Sequence, residues 1–431
     1  MLTCLISLVS AQQLNLADPA AVAKFSQGVT QQAMQYYLEK PGADGEGAVT
    51  PNPSGDASGI QWYESGIYWG AILDQARLFK SNTNTAQAGT ALGLASNGNV
   101  GSFLGANSLL AATMQGKWND DILWWGLAAM SGAEMFGKTA TMPDGLTYLQ
   151  VAINTYKEAW QQWDTTQCKG GIFWSRDRSA GNAKRGYKSS ITNSQHIMLG
   201  ARLFIMTGDA SYITNARATY AWLKQGLVSK SWKVYDGIDG GQGCGMNINE
   251  HSYNSGVLVG ALGWLFKATN DASYLADASA LVKASISEFT RNGIIADPCE
   301  PKCKPNEVQA KGTMIRGLGY FAALTTSQAD KTIVRNLLGT SLKAMAATCD
   351  SQQNCGTYWV DGTKGSNFHS QTNAVELVNA YNAALAGAIS GTLAAPKAAP
   401  APNAQATASG SKPHSMAFVA LSAVMTLTLA L

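Results

Sequence analysis

Thr207-Gly208-Asp209-Ala210-Ser211-Tyr212-Ile213 returns 62 residues further on as Thr269-Asn270-Asp271-Ala272-Ser273-Tyr274-Leu275. Each copy follows an apolar run and precedes an amphipathic one. A fixed period of this length marks a chain built from repeated supersecondary units. The amphipathic type is clearest over 146–163. There Gln150, Asn154, Lys157, Glu158 and Gln161 fall on one helical stripe, and Leu149, Ala152, Ile153, Tyr156, Trp160 and Trp163 on the opposite one. The apolar type has no polar face: 253–266 carries no charge and 122–136 carries only Glu134. A helix that is greasy all round is enclosed by others. Such runs begin near residues 66, 120, 192, 253, 311 and 372, a mean step of about 61 that agrees with the repeat. Glycines concentrate in them (Gly66, Gly70, Gly126, Gly132, Gly200, Gly256, Gly260, Gly263, Gly317 and Gly319), at a cost in helix propensity that close approach of inner helices would offset. The pattern predicts an all-α fold, an (α/α)6 barrel of six inner and six outer helices over about 18–389. With no polar capping repeat, closure is preferred to an open solenoid. Asp18-Pro19 opens the first helix as N-cap and first-turn proline.

The 431 residues are 46% apolar and only 14% charged, with 12 Trp, 15 Tyr, 11 Phe and a formal net charge of +3. That composition fills a large core and excludes global disorder. With no Lys/Arg run, it also argues against nucleic acid as a partner. The two ends fall outside the domain at 12–389. Residues 1–11, MLTCLISLVSA, read as a signal peptide with Val9-Ser10-Ala11 ahead of a cut. Residues 390–415 form an Ala/Pro/Ser/Thr-rich linker, and 416–431 an uncharged apolar tail. Spacer and tail together are the pattern of a GPI-attachment signal whose tail is removed, with Asn403 or Ser409 as the attachment residue. The expectation is a secreted protein at the outer face of the plasma membrane or in the cell wall, touching the membrane only through a GPI lipid. Cys4 leaves with the signal. Cys168, Cys244, Cys299, Cys303, Cys349 and Cys355 remain as disulfide candidates, an even set. Local pairing would join Cys299 to Cys303 and Cys349 to Cys355 and leave Cys168 with Cys244, although six cysteines permit fifteen pairings. There is no Asn-x-Ser/Thr acceptor, since Asn52-Pro53-Ser54 is blocked by its proline.

In a ring of inner helices the special residues collect where those helices start. Lys117-Trp118-Asn119-Asp120-Asp121-Ile122-Leu123-Trp124-Trp125 enters the second of them with two adjacent carboxylates. Neighbouring like charges do not ionise independently, so one carboxyl keeps its proton beside an ionised partner. A glycosidase needs such an acid and such a carboxylate. At a helix start the two can lie ~5–6 Å apart, near the spacing of a retaining enzyme. The competing structural reading is Asp at N-cap and N1, supporting the helix dipole. Trp62, Tyr63, Tyr68, Trp69, Trp118, Trp124, Trp125 and Tyr235 fall at or near rim positions, and sugar rings pack their C–H faces on aromatic planes. Asn193, Tyr235, Asp236, Tyr253, Asn254, Lys311, Arg316 and Gln371 are candidate partners for sugar hydroxyls. His196, His251, His369 and His414 form no cluster, and His196, inside an apolar run, reads as a core residue. No metal site and no cofactor motif is present.

Trp118-Asn119-Asp120-Asp121 ahead of an aromatic inner helix resembles glycoside hydrolase family 76, the α-1,6-mannanases. Fungal members of that family include GPI-anchored proteins of the "defective in filamentous growth" and "defective cell wall" kind. The resemblance continues through Cys168-Lys169-Gly170-Gly171-Ile172-Phe173-Trp174 and Tyr187-Lys188-Ser189-Ser190-Ile191-Thr192-Asn193. Tyr235-Asp236-Gly237, Tyr253-Asn254-Ser255-Gly256, Lys311-Gly312 with Arg316, Cys355-Gly356-Thr357-Tyr358-Trp359 and Gln371 follow, so it spans 18–389. It implies an (α/α)6 barrel that cleaves α-1,6-mannosidic linkages with retention. Asp120 would be the nucleophile, Asp121 the acid/base, and Asp236 a residue that holds the sugar. The implied function is a mannan endo-1,6-α-mannosidase, a glycosidase or transglycosidase of fungal cell-wall biogenesis that cross-links GPI-anchored proteins. Its donor would be α-1,6-mannan or a GPI-core glycan, its acceptor wall glucan, and it would act as a monomer without a cofactor. Ile122 after the pair, and Ser189 in the Tyr187 stretch, replace the family's usual residues, which bears on fine substrate preference. The alternative is a non-catalytic mannan-binding wall protein, GPI-anchored in the same way. A polysaccharide lyase on the same barrel would need a basic cleft with a Tyr/His pair, which finds little support in the chain.

Overall fold

The structure, a computed structural model, describes residues 14–39, 47, 49, 60–96, 101–104, 118–143, 145–387 and 389. The expected signal peptide, linker and tail, with Asn403 and Ser409, lie outside the described residues. Helices alternate between an outer and an inner layer along the chain: α1 (Pro19–Glu39), α2 (Trp62–Phe79), α3 (Thr85–Ser96), α4 (Asn119–Phe136), α5 (Tyr148–Trp160), α6 (Ser190–Thr207), α7 (Ala210–Leu227), α8 (Ser252–Thr269), α9 (Ser273–Glu288), α10 (Ala310–Leu324), α11 (Gln328–Thr348) and α12 (Phe368–Ala386). The even-numbered helices are the inner ones. Each packs on the next, and α12 returns to pack on α2, so the ring closes. α1 completes the outer layer by lying on α12.

The repeated heptapeptide is the turn between an inner and an outer helix. Thr207 and Thr269 each donate their hydroxyl to the carbonyl four residues back, at 2.7 Å in both cases. Gly208 and Asn270 then adopt left-handed backbone (φ 80° and 57°), ending the inner helix. Asp209 and Asp271 accept the N–H of Ser211 and Ser273 at 2.9 and 3.0 Å, starting the outer one. Asp18 caps α1 in the same way, accepting the Ala20 N–H at 2.9 Å. Two inner helices approach closely at Gly256 and Gly317: a Cβ on Gly317 would stand 1.8 Å from the Gly256 carbonyl oxygen.

Three features depart from the expectation. On α5 the buried face is Tyr148, Val151, Ala152, Thr155, Tyr156 and Ala159, with Leu149 and Ile153 only half-buried. Thr155 fills the notch that Gly126 leaves on α4, and this rotates the stripe. Next, the helices are joined by a small antiparallel sheet of β1 (Tyr187–Ser189), β2 (Tyr235–Asp239) and β3 (Gly245–Glu250) in that order. A two-residue pair, β4 (Thr290–Arg291) and β5 (Ile294–Ile295), stands apart from it. Finally, the inner helices are not free of charge. Arg77 pairs with Asp74 at 2.7 Å and with Glu134, Arg202 pairs with Glu134 at 2.9 Å, and Arg316 pairs with Glu376. Ser131 and Tyr320 donate to Asp74. Burial alone would push Asp74 up, but the guanidiniums of Arg77, Arg316 and Arg202 outweigh it and hold its carboxyl below the usual range. Arg316, expected at the sugar site, is therefore spent on Glu376 and the Ile67 carbonyl (2.6 Å) deep in the ring.

Cys168–Cys244, Cys299–Cys303 and Cys349–Cys355 form three disulfides, one of the open pairings. Arg316→Met strands Glu376 in the core. It should cost about 3–5 kcal/mol of stability in denaturant unfolding, and a surface-like loss below 1 kcal/mol would contradict the buried pairing.

Candidate active site

The N-terminal ends of α2, α4, α8 and α12 and the β1–β3 sheet share one rim. At the start of α4, Trp118 is the N-cap in extended backbone (φ −96°, ψ 163°). Asp120 and Asp121 thus occupy the second and third helical positions, not N-cap and N1. The Asp121 carboxylate reaches back to accept the Trp118 N–H at 3.4 Å and is buried. Asp120 is half-buried as a residue, yet its Oδ1 is shut off from solvent and has no hydrogen-bond partner among the described residues. Gln195 fixes the Asp120 carbonyl at 3.2 Å. Burial pushes the Asp120 carboxyl up to about 7. The Trp174 indole N–H, which leans toward it without closing a hydrogen bond, and the first-turn backbone N–H groups oppose that rise, and the Asp236 charge adds to it. The Asp120 carboxyl therefore keeps its proton toward neutral pH, beside the Asp121 carboxyl.

Asp236, on β2, supplies a third carboxylate facing the pair. It accepts from the Tyr187 hydroxyl (2.5 Å), Asn247 Nδ2 (3.0 Å), Asn254 Nδ2 (3.1 Å) and the Tyr253 hydroxyl (3.4 Å). Four neutral donors keep it in place. The Tyr63 phenol is pushed well up by burial and by the charges of Glu64, Asp121 and Asp120, which locates it beside the pair. Glu64 in turn accepts the Gln61 N–H at 2.6 Å and lies 3.0 Å from His369 Nε2. Aromatic planes wall the opening. Trp118 stacks on Trp174 at 4.2 Å, Trp62 leans on Trp125 at 5.2 Å, and Tyr253 stacks on His251 at 5.2 Å. Trp62, Tyr63, Trp118, Trp174 and Tyr253 are each half-buried, with part of their surface open.

The rim thus brings together Asp120, Asp121, Asp236, Tyr253 and Asn254, with Trp62 and Tyr235 at its edge. Other expected hydroxyl binders are framework instead. Trp125 is fully buried and donates to the Trp62 carbonyl at 3.2 Å. Asn193 spends its amide on Ile172 N and O and on Ser189 O. Lys311 donates to Glu300 (2.8 Å) and to the Thr357 carbonyl (2.7 Å), and lies 4.0 Å from the Trp359 ring centre. Gln371 ties Cys355 N to the Val29 and Gln353 carbonyls. Tyr68, Trp69 and Trp124 are core. The polar atoms of Trp125, Asn193, Lys311 and Gln371 meet partners inside the protein rather than a sugar hydroxyl. His196 lies stacked between Tyr156 (4.2 Å) and Trp160 (5.3 Å), and burial pushes it down to about 3, so it stays neutral. Trp174, Tyr187, Asn247, Glu64 and His369 were missed as site residues. The Cys168-x-Gly170-Gly171 motif held a clue to the first. Both glycines have positive φ (145° and 94°) and pack against Trp222, in space a Cβ would occupy, which sets the path that carries Trp174 to the rim. Among the described residues no three His, Cys, Asp or Glu side chains converge as a metal cage would require.

The profile of glycosyl hydrolase family 76 matches residues 21–392. The chain belongs to that family. Mannan endo-1,6-α-mannosidase DCW1 of Candida albicans is 28% identical over 321 residues, 70% of this chain and 68% of that protein. Mannan endo-1,6-α-mannosidase DFG5 of the same organism is 26% identical over 392 residues, 86% and 82% of the two. Among solved structures, Dfg5 from Chaetomium thermophilum, in complex with glucosamine, matches with a TM-score of 0.77 at 21% identity, over 89% of this chain and 94% of that one. An α-1,6-mannanase from Salegentibacter sp., in an inactive variant with two consecutive aspartates changed to asparagine and in complex with α-1,6-mannotriose, matches with a TM-score of 0.67 at 18% identity, over 84% and 99%. The barrel fold is shared with both.

A site that needs its one shared proton has an alkaline limit. The rate on an α-1,6-manno-oligosaccharide should fall about tenfold per pH unit above about 7, and a flat profile from there to pH ~9 would contradict the shared proton. Stability gives an independent reading. A folded pKa raised above the unfolded value means native stability is lost as pH climbs from about 4 to about 7. Asp120→Asn should therefore gain in melting temperature over the parent across that window, and should show no such gain below it.

Proposed function

We propose that the protein is a retaining mannan endo-1,6-α-mannosidase or transglycosidase. The observation that carries this is the adjacent Asp120 and Asp121, half-sunk between the Trp118–Trp174 stack and Asp236, with burial raising the Asp120 carboxyl toward neutral pH. A nucleophile needs a free lone pair, and Asp120 Oδ1 has no hydrogen-bond partner among the described residues. Burial leaves the resting proton on Asp120, and in the reactive form it has passed to Asp121, so that Asp120 is ionised. Asp120 Oδ1 attacks the anomeric carbon while Asp121 protonates the departing glycosidic oxygen, and a glycosyl ester forms on Asp120. Asp121, now ionised, takes the proton of the incoming hydroxyl, which displaces Asp120 and restores the configuration. Water at that position gives hydrolysis, and a sugar hydroxyl gives transfer. Asp236, held by four neutral donors, accepts sugar hydroxyls beside the reacting ring, and the half-open aromatics pack its C–H faces.

The substrate class rests on the relatives named for mannan and on the neighbour holding α-1,6-mannotriose, in which a consecutive aspartate pair had been removed. A GPI-core glycan as donor and wall glucan as acceptor are the finer form of the same reading, in keeping with the glucosamine bound to the Dfg5 neighbour. We place the enzyme outside the cell, GPI-anchored and acting as a monomer. Three disulfides suit an oxidising compartment, and the composition of 390–431 suits a removable anchor signal. Asp120→Asn and Asp121→Asn should each lower kcat on α-1,6-mannan by at least about a thousandfold with unchanged circular dichroism. Near-normal turnover in either would sink the assignment.

A further inference from the structure

We propose that the segment joining Trp174 to Tyr187 forms an anion subsite at the mouth of the active site, for a phosphate group carried by the glycan. This builds on the carbohydrate reading above and adds a charge requirement to it. The segment reads Ser175-Arg176-Asp177-Arg178-Ser179-Ala180-Gly181-Asn182-Ala183-Lys184-Arg185-Gly186. It holds four cations and one carboxylate, an excess of +3 that equals the formal net charge of the whole chain, so the other residues sum to zero. Both of its ends are site residues: Trp174 leans on Asp120 and Tyr187 donates to Asp236.

The cations divide into one that anchors and three that do not. Arg176 is committed to Glu158 at 3.1 Å and to Asn119 Oδ1 at 2.8 Å, which ties the base of the segment to the first residue of α4. Arg178, Lys184 and Arg185 are exposed, and among the described residues none of them has an ion-pair partner. The Arg178 guanidinium carbon lies over the Phe173 ring, 3.2 Å from its centre, and Lys184 Nζ stands 4.8 Å from the Tyr187 ring centre. Phe173 is the chain neighbour of Trp174 and Tyr187 bonds Asp236, so both cations sit on rings tied to site residues. Two acids lie near Arg178: Asp164, which also pairs with Lys188 at 2.8 Å, and Asp177, which accepts the Ser179 N–H at 2.8 Å. Arg185 also lies close enough to Arg178 to repel it. An excess of three positive charges within twelve residues is the arrangement that a multiply charged anion relieves. A single carboxylate would be satisfied by one guanidinium. Three cations held by no ion pair among the described residues match a phosphate, with its greater charge and its additional acceptor oxygens. The three carboxylates of the reaction centre would repel such a group, so it belongs on a sugar outside the one being cleaved.

The test compares two probes on the full protein: an α-1,6-mannotetraose, and the same oligosaccharide carrying a phosphomonoester on a terminal mannose. Affinity and kcat/KM are measured for each at low and high salt. The parent should favour the phosphorylated glycan by about fivefold or more, and salt should shrink that ratio. R178Q/K184Q/R185Q should bring the ratio close to one at an unchanged melting temperature. Equal values for the two probes in the parent, or a ratio preserved in the triple variant, would overturn the proposal. It also falls if the three residues govern binding to phosphatidylserine vesicles while leaving the glycan ratio at one, because the segment is then a membrane contact. Should neither probe be cleaved, the mannosidase reading fails on its own, and the affinity ratio still decides this proposal.

Discussion

Three carboxylates and three guanidiniums neutralise one another in the middle of the helix ring. Asp74, Glu134 and Glu376 are matched by Arg77, Arg202 and Arg316, and these six residues come from five of the six inner helices. Each ion would cost several kcal/mol if left alone in that interior, whereas the same six side chains in register satisfy one another. An inner helix that slid or turned would strand a charge, so the network fixes the relative placement of the helices. Glu134 and Asp120 lie on one helix roughly 20 Å apart. A register set at the first therefore decides where the second emerges, and the geometry of the rim follows from the centre of the barrel.

At the rim, two effects compete for the proton of the aspartate pair. The N-terminus of α4 favours negative charge by about 0.3–1 kcal/mol. Burial moves the Asp120 carboxyl from 3.8 to about 7, which corresponds to a few kcal/mol in the other direction. Burial wins, and an acid stands beside a carboxylate at neutral pH. Asp236 strengthens the effect from across the opening while its own charge is met by Tyr187, Asn247, Asn254 and Tyr253. The site thus concentrates negative charge where a sugar carbon becomes positive, and the aromatic walls supply packing without charge.

Much of this could be read along the chain because it is periodic or local. The inner helices start within four residues of where their apolar runs place them, and the heptapeptide repeat turns out to be a Thr-closed, Asp-opened turn that any copy forms from its own residues. The aspartate pair stood out for a similar reason, as adjacent charges entering a greasy helix. What could not be read depends on partners far off in sequence. Asn193, Lys311 and Gln371 occupy the same helix starts as true site residues, but their side chains turn into the wall, where loops 21, 46 and 18 residues away in sequence consume their hydrogen bonds. Arg316 looked like a sugar ligand because its counter-ion, Glu376, comes from the next inner helix. The β1–β3 sheet, which presents Asp236, is assembled from strands of 3, 5 and 6 residues, too short for alternation to reveal them.

The central claim is that Asp120 attacks sugar carbon. A mannose-configured, fluorinated or cyclitol-type reagent that forms a slowly released enzyme ester tests it directly, with the labelled residue found by peptide mass spectrometry. The account predicts one adduct, on Asp120, that is absent from Asp120→Asn. An adduct on Asp121 would reverse the assignment of roles, and an intact protein that binds mannan but never acquires the label would leave a lectin-like wall component in place of an enzyme.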